Sequence, residues 1–570
     1  MKKIKGMPYI IGGVAAVVFL LLGYYLFCPA INFQSFGLWI LCDLAVFIFC
    51  LVPRIIVWSG KKNKAKINKK KKSPLRERYA MFREDNDFSL KYFIAPLAIT
   101  AIFLFMIIIG ATLFNATLYS EILTVKEGDF TKDIAEAVGT DSIALMDTSS
   151  AQMLGDREIG SLSDVVSQYD VSSDYTQIDY NGKPVKVSAL EYAGFFKWIN
   201  KRDTGIGGYV TVDPVSMSAT FNRCDGMKYA PSAFFSEDAY RHIRMEYPTL
   251  LLDNLHFEID EEGTPYYVMS IVEKTIGVFG GKTVSGCVVL DPVTGECVKY
   301  ELDDIPRWID VVFHGNLICE QYNWYGMYQN GYFNSLFAKK DCKQVTTYYV
   351  SEEEENSSDE TPVSDYGYIS KDGDIWIYTG ITSVNGDSSN IGFLLANERT
   401  GESRYYSIAG ADEKSAMAAA EGEVQEKGYQ ASFPSLINID GNPTYIMVLK
   451  DSGGLVKLYA TVNVEQYNIV TTAITQEECI EKYKKVLGIE PEPEKVETQK
   501  VSISIASIKY ITVDGDTYIY LIDSDENIYK AKAADHEKML LLKEGDTVEL
   551  TVSKNKIVAF EKIAAEVENG

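Results

Sequence analysis

Three long apolar runs open the chain, Met7–Phe27, Phe36–Val57 and Tyr92–Leu118. Each approaches or exceeds the ~20 residues that cross a bilayer core as a helix. So few charges interrupt them that three membrane helices are predicted in place of buried core helices. Beyond Leu118 the period changes. Apolar and polar residues alternate in short runs bounded by turn residues, the pattern of β-structure. "YTQIDYNGKPVKVSAL" alternates on both sides of Asn181-Gly182. The two central positions of such a turn want positive φ, so a hairpin is predicted there. "TKDIAEAV", Leu162–Tyr169 and "EYAGFFKWINK" read as short helices within a mixed lead-in, 119–207.

Two stretches then share one wording: "FEIDEEGTPYYV", Phe257–Val268, and "LINIDGNPTYIM", Leu436–Met447. Their surroundings share an order: hairpin, helix, aromatic-Pro-hydroxyl-Leu, Ile-Asp turn, strand. The first copy, 208–309, begins with "GYVTVDPVSMSATF" and continues through "SEDAYRHIRMEY", where Ser236 is the expected N-cap. The second, 392–489, begins with "GFLLANERTGESRYY" and has its helix at Glu413–Gly428, closed by a glycine. Two tandem α+β repeats are therefore predicted. The repeated letters are turn chemistry: Asp260 and Asp440 end a strand, a glycine turns the chain, and Pro265 and Pro443 fix φ before the next strand. A tyrosine-rich β connector, 310–391, separates the copies. Its "SEEEENSSDETP", Ser351–Pro362, is too acidic and too poor in apolar residues for anything but an exposed loop. "EPEPEKVETQ", Glu490–Gln499, is a Pro/Glu linker. Five strands with a short helical "DHEKMLLL" between the third and fourth fill 500–570, the order of an OB-like or SH3-like barrel. The expected fold class is thus α+β: three N-terminal transmembrane helices, a β-rich exported region with two repeats, and a small C-terminal β-barrel.

Charge fixes the orientation. The net charge of the 570 residues is −24, but residues 1–118 hold 16 basic and 5 acidic groups and the remainder 39 and 74, so +11 and −35. Ten of the basic residues fall in "KKNKAKINKKKKSPLRER", Lys61–Arg78, between the second and third helices. Positive loops stay in the cytoplasm, and this one can also hold anionic lipid. The expected topology has the N-terminus and loop 58–91 inside, 28–35 outside, and 119–570 extracytoplasmic. "MKKIK" resembles a signal-peptide start, but "GYYLFCPAIN" lacks small residues at the cleavage spacing, so the first helix is read as uncleaved. The acidic body and the 9 basic against 13 acidic groups of 500–570 argue against nucleic acid as a partner.

Candidate chemistry is sparse. Nine cysteines in a chain of this length do not form a disulfide scaffold. Cys319 and Cys342 flank "YQNGY", which reads as a hairpin tip, and could bridge across it. No C-x-x-C occurs and the four histidines are scattered, so no zinc pattern exists. The hydrolase, metalloprotease, phosphate-loop and dinucleotide signatures are absent. Gly277–Gly281 lies between strands without a helix start, Ser553 and Lys556 sit at a β-turn, and "DSDEN", Asp523–Asn527, lacks the later ligands of a calcium loop. Asp43 within the second apolar run is either a functional intramembrane acid or a partner within the helix cluster. Arg241 and Arg244, three apart, could bind a carboxylate partner or simply face solvent. No catalytic, cofactor-binding or metal-binding residue is assigned, and no cofactor is expected.

The hairpins reading "VLDPVTGE" resemble PepSY-type modules, small exported units linked to restraint of peptidases or to envelope assembly. The three helices together with "LGDREIGSLSDVVSQYDV", "FEIDEEGTPYY" and "GADEKSAM" resemble an uncharacterised family of membrane proteins from anaerobic Gram-positive bacteria, labelled cell-shape-determining or CvpA-like. The resemblance implies an envelope role and brings no catalytic residues. The function expected is a membrane-anchored, extracytoplasmic, non-enzymatic scaffold or regulatory binding protein, with other envelope or membrane proteins or the cell wall as partners. The alternative is an exported hydrolase with a cryptic carboxylate site at Glu258, Asp260 and Asp440.

Overall fold

The computed structural model describes residues 7–68, 90–134, 136, 145–162, 165–350, 361–364, 366–385, 389–489, 499–513, 516–525, 527–553 and 556–562. Most of the basic loop, the acidic loop and the Pro/Glu linker lie outside the described residues. The chain divides into two units, Met1–Leu487 and Gly488–Gly570.

Unit one begins with helices α1, Met7–Phe27, and α2, Phe36–Asn68. Met7–Phe27 and Phe36–Ser59 are long and apolar enough to cross a membrane. They pack through small residues, as apolar helices do when side-chain burial from water cannot drive association. Gly12, Ala16 and Gly23 form the buried stripe of α1, and a Cβ on Gly12 would lie 2.8 Å from the Pro53 ring. The third apolar run departs from expectation. It forms two helices, α3, Ile94–Ile109, and α4, Thr112–Ser120, bent by 44° at Gly110-Ala111. The Asn115 amide donates to the carbonyls of Ile109 (2.6 Å) and Ala111 (3.0 Å), so a side chain meets backbone acceptors at the break. Gly110 also meets the turn after Ile276, where a Cβ on Gly280 would come within 2.7 Å of the Gly110 carbonyl. α3 runs antiparallel to α2. Phe103 packs on Phe36 (5.5 Å), Thr100 donates to Asp43 Oδ2 (2.7 Å), and Arg54 lies over the Tyr92 ring (3.4 Å).

The segment between α1 and α2 docks on the β-rich body. Ile31 N donates to Pro248 O (2.7 Å), the Asn32 amide to Thr249 O (2.9 Å) and the Gln34 amide to Lys274 O (2.8 Å). Phe36 also packs on Phe279 at 4.4 Å.

Four antiparallel meanders make up the body. The first runs Thr176–Tyr180, Lys183–Tyr192, Ile206–Asp213, Ser218–Met227, with Tyr169–Val171 added at one side. The second runs Leu252–Ile259, Pro265–Ile276, Gly280–Leu290, Cys297–Glu301. The third runs Gly367–Lys371, Asp374–Ser383, Ser389–Asn397, Ser403–Tyr406, and Val125–Glu127 pairs in parallel on its last strand. The fourth runs Ser435–Ile439, Asn442–Lys450, Val456–Asn463, Val470–Ala473. Successive sheets pack face to face, as the blades of a β-propeller do. Tyr267, Met269 and Ile271 point to the core shared with the first sheet, while Val268 and Val272 point to the core shared with the third. Likewise Phe393 and Leu395 face the fourth sheet, and Leu394 and Ala396 the second. Sheets covered on both faces have nothing polar to alternate with. That is why "YYVMSIV", "GFLLA" and "TYIMVL" read as nearly continuous apolar runs, broken only by the buried Ser270 and Thr444.

Several expected elements shift. Helix α5 spans Thr148–Gly160, where the Asp147 carboxylate accepts from Ser150 N (2.9 Å), and Val165–Gln168 are turns where a helix was expected. Glu191 and Tyr192 finish a strand, and Gly194 (φ 98°) starts the helix Phe195–Lys201. The segment around "YQNGY" is helical and not a hairpin tip. Helix α6, Gly315–Tyr328, buries Gly315, Cys319, Tyr322 and Gly326 at helical spacing, and a π-helical stretch, Asn334–Ala338, follows. Cys319 and Cys342 are both buried and are not joined by a disulfide. The Asn181-Gly182 hairpin forms as expected, with φ of 54° and 79°.

A line of rings leads away from the end of α4. Tyr119 donates to Gly110 O (2.8 Å) and stacks edge-on with Trp324 (5.0 Å); Tyr328, Tyr332, Phe333 and Phe337 continue it at 5.9–6.4 Å. Phe114, Leu118, Phe333, Leu336 and Phe337 are all more than half exposed along this edge.

Unit two is a closed barrel of five strands, Gln499–Val513, Asp516–Asp523, Ile528–Lys532, Thr547–Ser553 and Lys556–Lys562. Its ring order is first, second, third, fifth, fourth, and the third pairs in parallel with the fifth. A 3-10 turn, Glu537–Leu541, separates the third and fourth. That is the OB-like alternative of the two expected barrels.

Candidate ligand-binding site

The first strands of the meanders converge on a polar centre. Glu258, at the end of Leu252–Ile259, is fully buried. Its Oε2 accepts from Asp310 N (2.9 Å), and its Oε1 from Val311 N (3.0 Å) and lies 2.8 Å from His256 Nε2. Asp310 Oδ2 accepts from Asp179 N (2.6 Å), and Asp179 Oδ2 from the Ser370 hydroxyl (2.8 Å). Three sheets are thus tied through carboxylates. Burial, with the Glu258 charge beside it, raises the Asp310 carboxyl well above the usual range.

Between the fourth and first sheets the packing is incomplete. α5 bridges them, with Lys450 Nζ 2.5 Å from Asp147. Beside that bridge is a cavity of about 660 Å³, within the ~300–1,000 Å³ common for small-molecule sites. Its walls come from the start of α5 (Met146, Asp147), the first sheet (Gln177, Lys186), the third (Tyr366, Tyr368), the helix α7, Glu413–Glu423 (Lys414, Met417, Ala418, Glu421), and the start of the fourth sheet (Phe433, Pro434).

Lys186 is the unusual member. It is 2% exposed, and its ammonium makes no hydrogen bond or ion pair among the described residues. Its nearest recorded partner is the Tyr368 ring, 5.0 Å from Nζ. Burial pulls the ammonium down to about 8, against the opposing charges of Asp147 and Glu398. Glu398, also 2% exposed, is pushed up to about 8 by burial and by Glu258, while the Gly315 amide and Lys186 work the other way. Burial works to raise Asp147 too, but Lys450 and Ser150 outweigh it and hold that carboxylate below its usual range. Burial thus pushes both Lys186 and Glu398 toward their neutral forms, and the charge of each pulls the other back toward its ionised form.

The residues singled out from sequence do not meet here. Asp260 sits in the turn between two strands of the second sheet, its Oδ1 accepting from Glu262 N (3.1 Å) and Thr264 N (2.7 Å). Asp440 is exposed at the matching turn of the fourth sheet, with φ 51°. Glu258 is interior. No cleft joins the three. Asp43 pairs with Thr100 within the helix cluster. Arg241 donates to the carbonyls of Phe235 (2.6 Å) and Tyr25 (3.2 Å), and Arg244 is buried and donates to Leu250 O, so both are spent on backbone. Asp523 closes its own turn on Asp525 N and Asn527 N. Among the described residues no group of His, Cys, Asp or Glu is placed to hold a metal ion.

No family model and no curated protein matches the chain. Among solved structures it is similar to the cobalt-substituted apocarotenoid oxygenase of Synechocystis, at 9% identity and TM-score 0.13, over 69% of this chain and 62% of that one. It is also similar to an exo-β-1,3-galactanase from Phanerochaete chrysosporium, at 10% identity and TM-score 0.16, over 62% of this chain and 80% of that one. Likeness at that level does not establish a shared fold.

Proposed function

We propose that the protein is an extracytoplasmic binding protein of the bacterial envelope, anchored by three membrane crossings, whose body is a duplicated pair of sheets. The docking of residues 31–34 on the second sheet carries this reading. It supports a body on the side of the α1–α2 connection, with the basic loop that resists translocation left in the cytoplasm. The antiparallel run of α3 beside α2 supports a third crossing. Rings mark both ends: Tyr9 and Tyr92, with Arg54 between them, at one, and Trp39, Phe36 and Phe103 at the other. Phe36 and Arg54 are about 27 Å apart along a helix rising 1.5 Å per residue, close to the ~30 Å of a hydrocarbon core. The apolar edge from Phe114 to Phe337 then rests in the outer headgroups. Duplication is supported by the two "Ile-Asp" turns, which join the first two strands of the second and fourth sheets, each preceded by a helix, Ala239–Glu246 or α7. The partners expected are other envelope or membrane proteins, or the wall, in keeping with the CvpA-like and PepSY-like resemblances.

Topology is tested by thiol accessibility. Lys427→Cys, on an exposed turn, should react with a membrane-impermeant maleimide on intact, wall-stripped cells. Ser73→Cys should react only after lysis. The reverse pattern would put the body in the cytoplasm and remove the proposed partners.

A further inference from the structure

We propose that the cavity between the first and fourth sheets binds an amphiphilic monocarboxylate, with its carboxylate on Lys186 and its apolar body against Met146, Met417 and Phe433. The inference goes beyond the anchoring role and holds whichever side of the membrane the body occupies.

The charge balance of the walls leads to this ligand. An ammonium taken out of water and left without an anion is costly. Lys186 has no carboxylate in ion-pair contact among the described residues, Asp147 acting on it only from a distance, and it borders open space. The neighbouring acids are otherwise engaged. Asp147 holds Lys450 and caps α5. Glu421 Oε1 accepts from Ala431 N at 2.9 Å. Glu398 makes no ion pair with Lys186 among the described residues, and burial disfavours its charged form. A second lysine, Lys414, stands on the rim. A cationic ligand would be repelled, and a neutral one would leave the ammonium unpaired. A phosphate dianion asks for more buried donors than the Lys186 ammonium and the Gln177 amide supply, since Lys414 is exposed at the rim. One negative charge with two oxygens satisfies the site. Much of the remaining wall, Leu145, Met146, Met417, Ala418, Phe433 and Pro434, is apolar side-chain surface, and methionines adapt to irregular bodies.

The full chain in detergent would be titrated calorimetrically at pH 7 with three water-soluble probes of one shape: 2-naphthoate, 2-naphthamide and 2-naphthylmethylammonium. A detergent-only titration serves as blank. Naphthoate should bind, the amide roughly 10-fold or more weakly, because a charge-assisted hydrogen bond is lost, and the cation not at all. Lys186→Met should bring naphthoate down to the level of the amide and leave the amide unchanged. Ala418→Trp, at an exposed helix position that tolerates bulk, should fill the cavity and abolish binding of both. Failure of naphthoate to bind at about 1 mM, equal binding of naphthoate and amide, or an undiminished preference in Lys186→Met would each overturn the proposal. None of these outcomes bears on the topology, which the maleimide experiment decides separately.

Discussion

Lys186 and Glu398 give the fold two opposed responses to pH. Burial raises the Glu398 carboxyl from 4.5 to about 8. Between those values the native state holds a proton that the unfolded state has lost, so stability falls as pH rises. Burial lowers Lys186 from 10.5 to about 8. Between 8 and 10.5 the unfolded state holds the extra proton, so stability rises with pH. Each window is worth a few kcal/mol, about 3 for Lys186. Thermal unfolding from pH 4.5 to 10.5 should therefore pass through a minimum near pH 8. Glu398→Gln should flatten the lower limb and Lys186→Met the upper one, and Lys186→Met should melt higher at pH 7. A wild-type curve running monotonically through pH 8 would refute the assignment. The site was poorly legible for a reason visible in the same hairpin. Gln177, Asp179, Lys186 and Ser188 form the polar half of the alternation around Asn181-Gly182, and alternation assigns such residues to solvent. Gln177 and Lys186 are cross-strand partners on that face. The fold covers it with the third sheet and α7, and no pattern within the hairpin records what will cover it. Glu258 was visible as a candidate acid, but its place is to anchor two backbone amides.

At the scale of elements, local chemistry was the readable part. Turn residues located the Asn181-Gly182 hairpin and the two Ile-Asp turns, and an alanine-rich run closed by a glycine located α7. Elements fixed by distant partners were not readable. α6 buries Gly315, Leu317, Ile318, Cys319, Gln321, Tyr322 and Gly326, a set that mixes glycines and an amide with apolar residues and spreads around the helix, so no single apolar stripe registers. The break in the third apolar run follows from contact with a β-turn more than 160 residues away in sequence. That break turns α4 along the body and lays out the edge of exposed rings. A nitroxide at Phe337→Cys, in the full chain reconstituted in nanodiscs, should be more accessible to oxygen than to a nickel chelate, as at a bilayer interface. One at Lys427→Cys should show the opposite. Chelate accessibility at Phe337→Cys equal to that at Lys427→Cys would remove the edge from the membrane.

For the whole molecule, sequence divided the chain correctly into apolar helices, a β-rich body and a C-terminal barrel, yet missed how the body's strands group. The predicted repeats began at Gly208 and Gly392, in the middle of the first and third sheets. Hairpins in a meander are all alike locally, so nothing in a single sequence marks where one sheet ends. The barrel was legible because its order is short-range: five strands and one helical turn close on themselves. Its core, including Ile519, Leu521, Val548 and Leu550, is fully buried within the barrel's own strands. A unit that buries its apolar surface without help should fold alone, although one this small has little stability to spare. Residues 488–570 expressed by themselves should melt cooperatively. Leu550→Ala should cost about 2–5 kcal/mol in that fragment and lower the barrel's transition in the full chain by a matching amount. The transition of unit one should stay where it was. Non-cooperative melting of the fragment, or a shift of unit one on Leu550→Ala, would mean that the barrel depends on the body and that the division at Leu487 is not a division of stability.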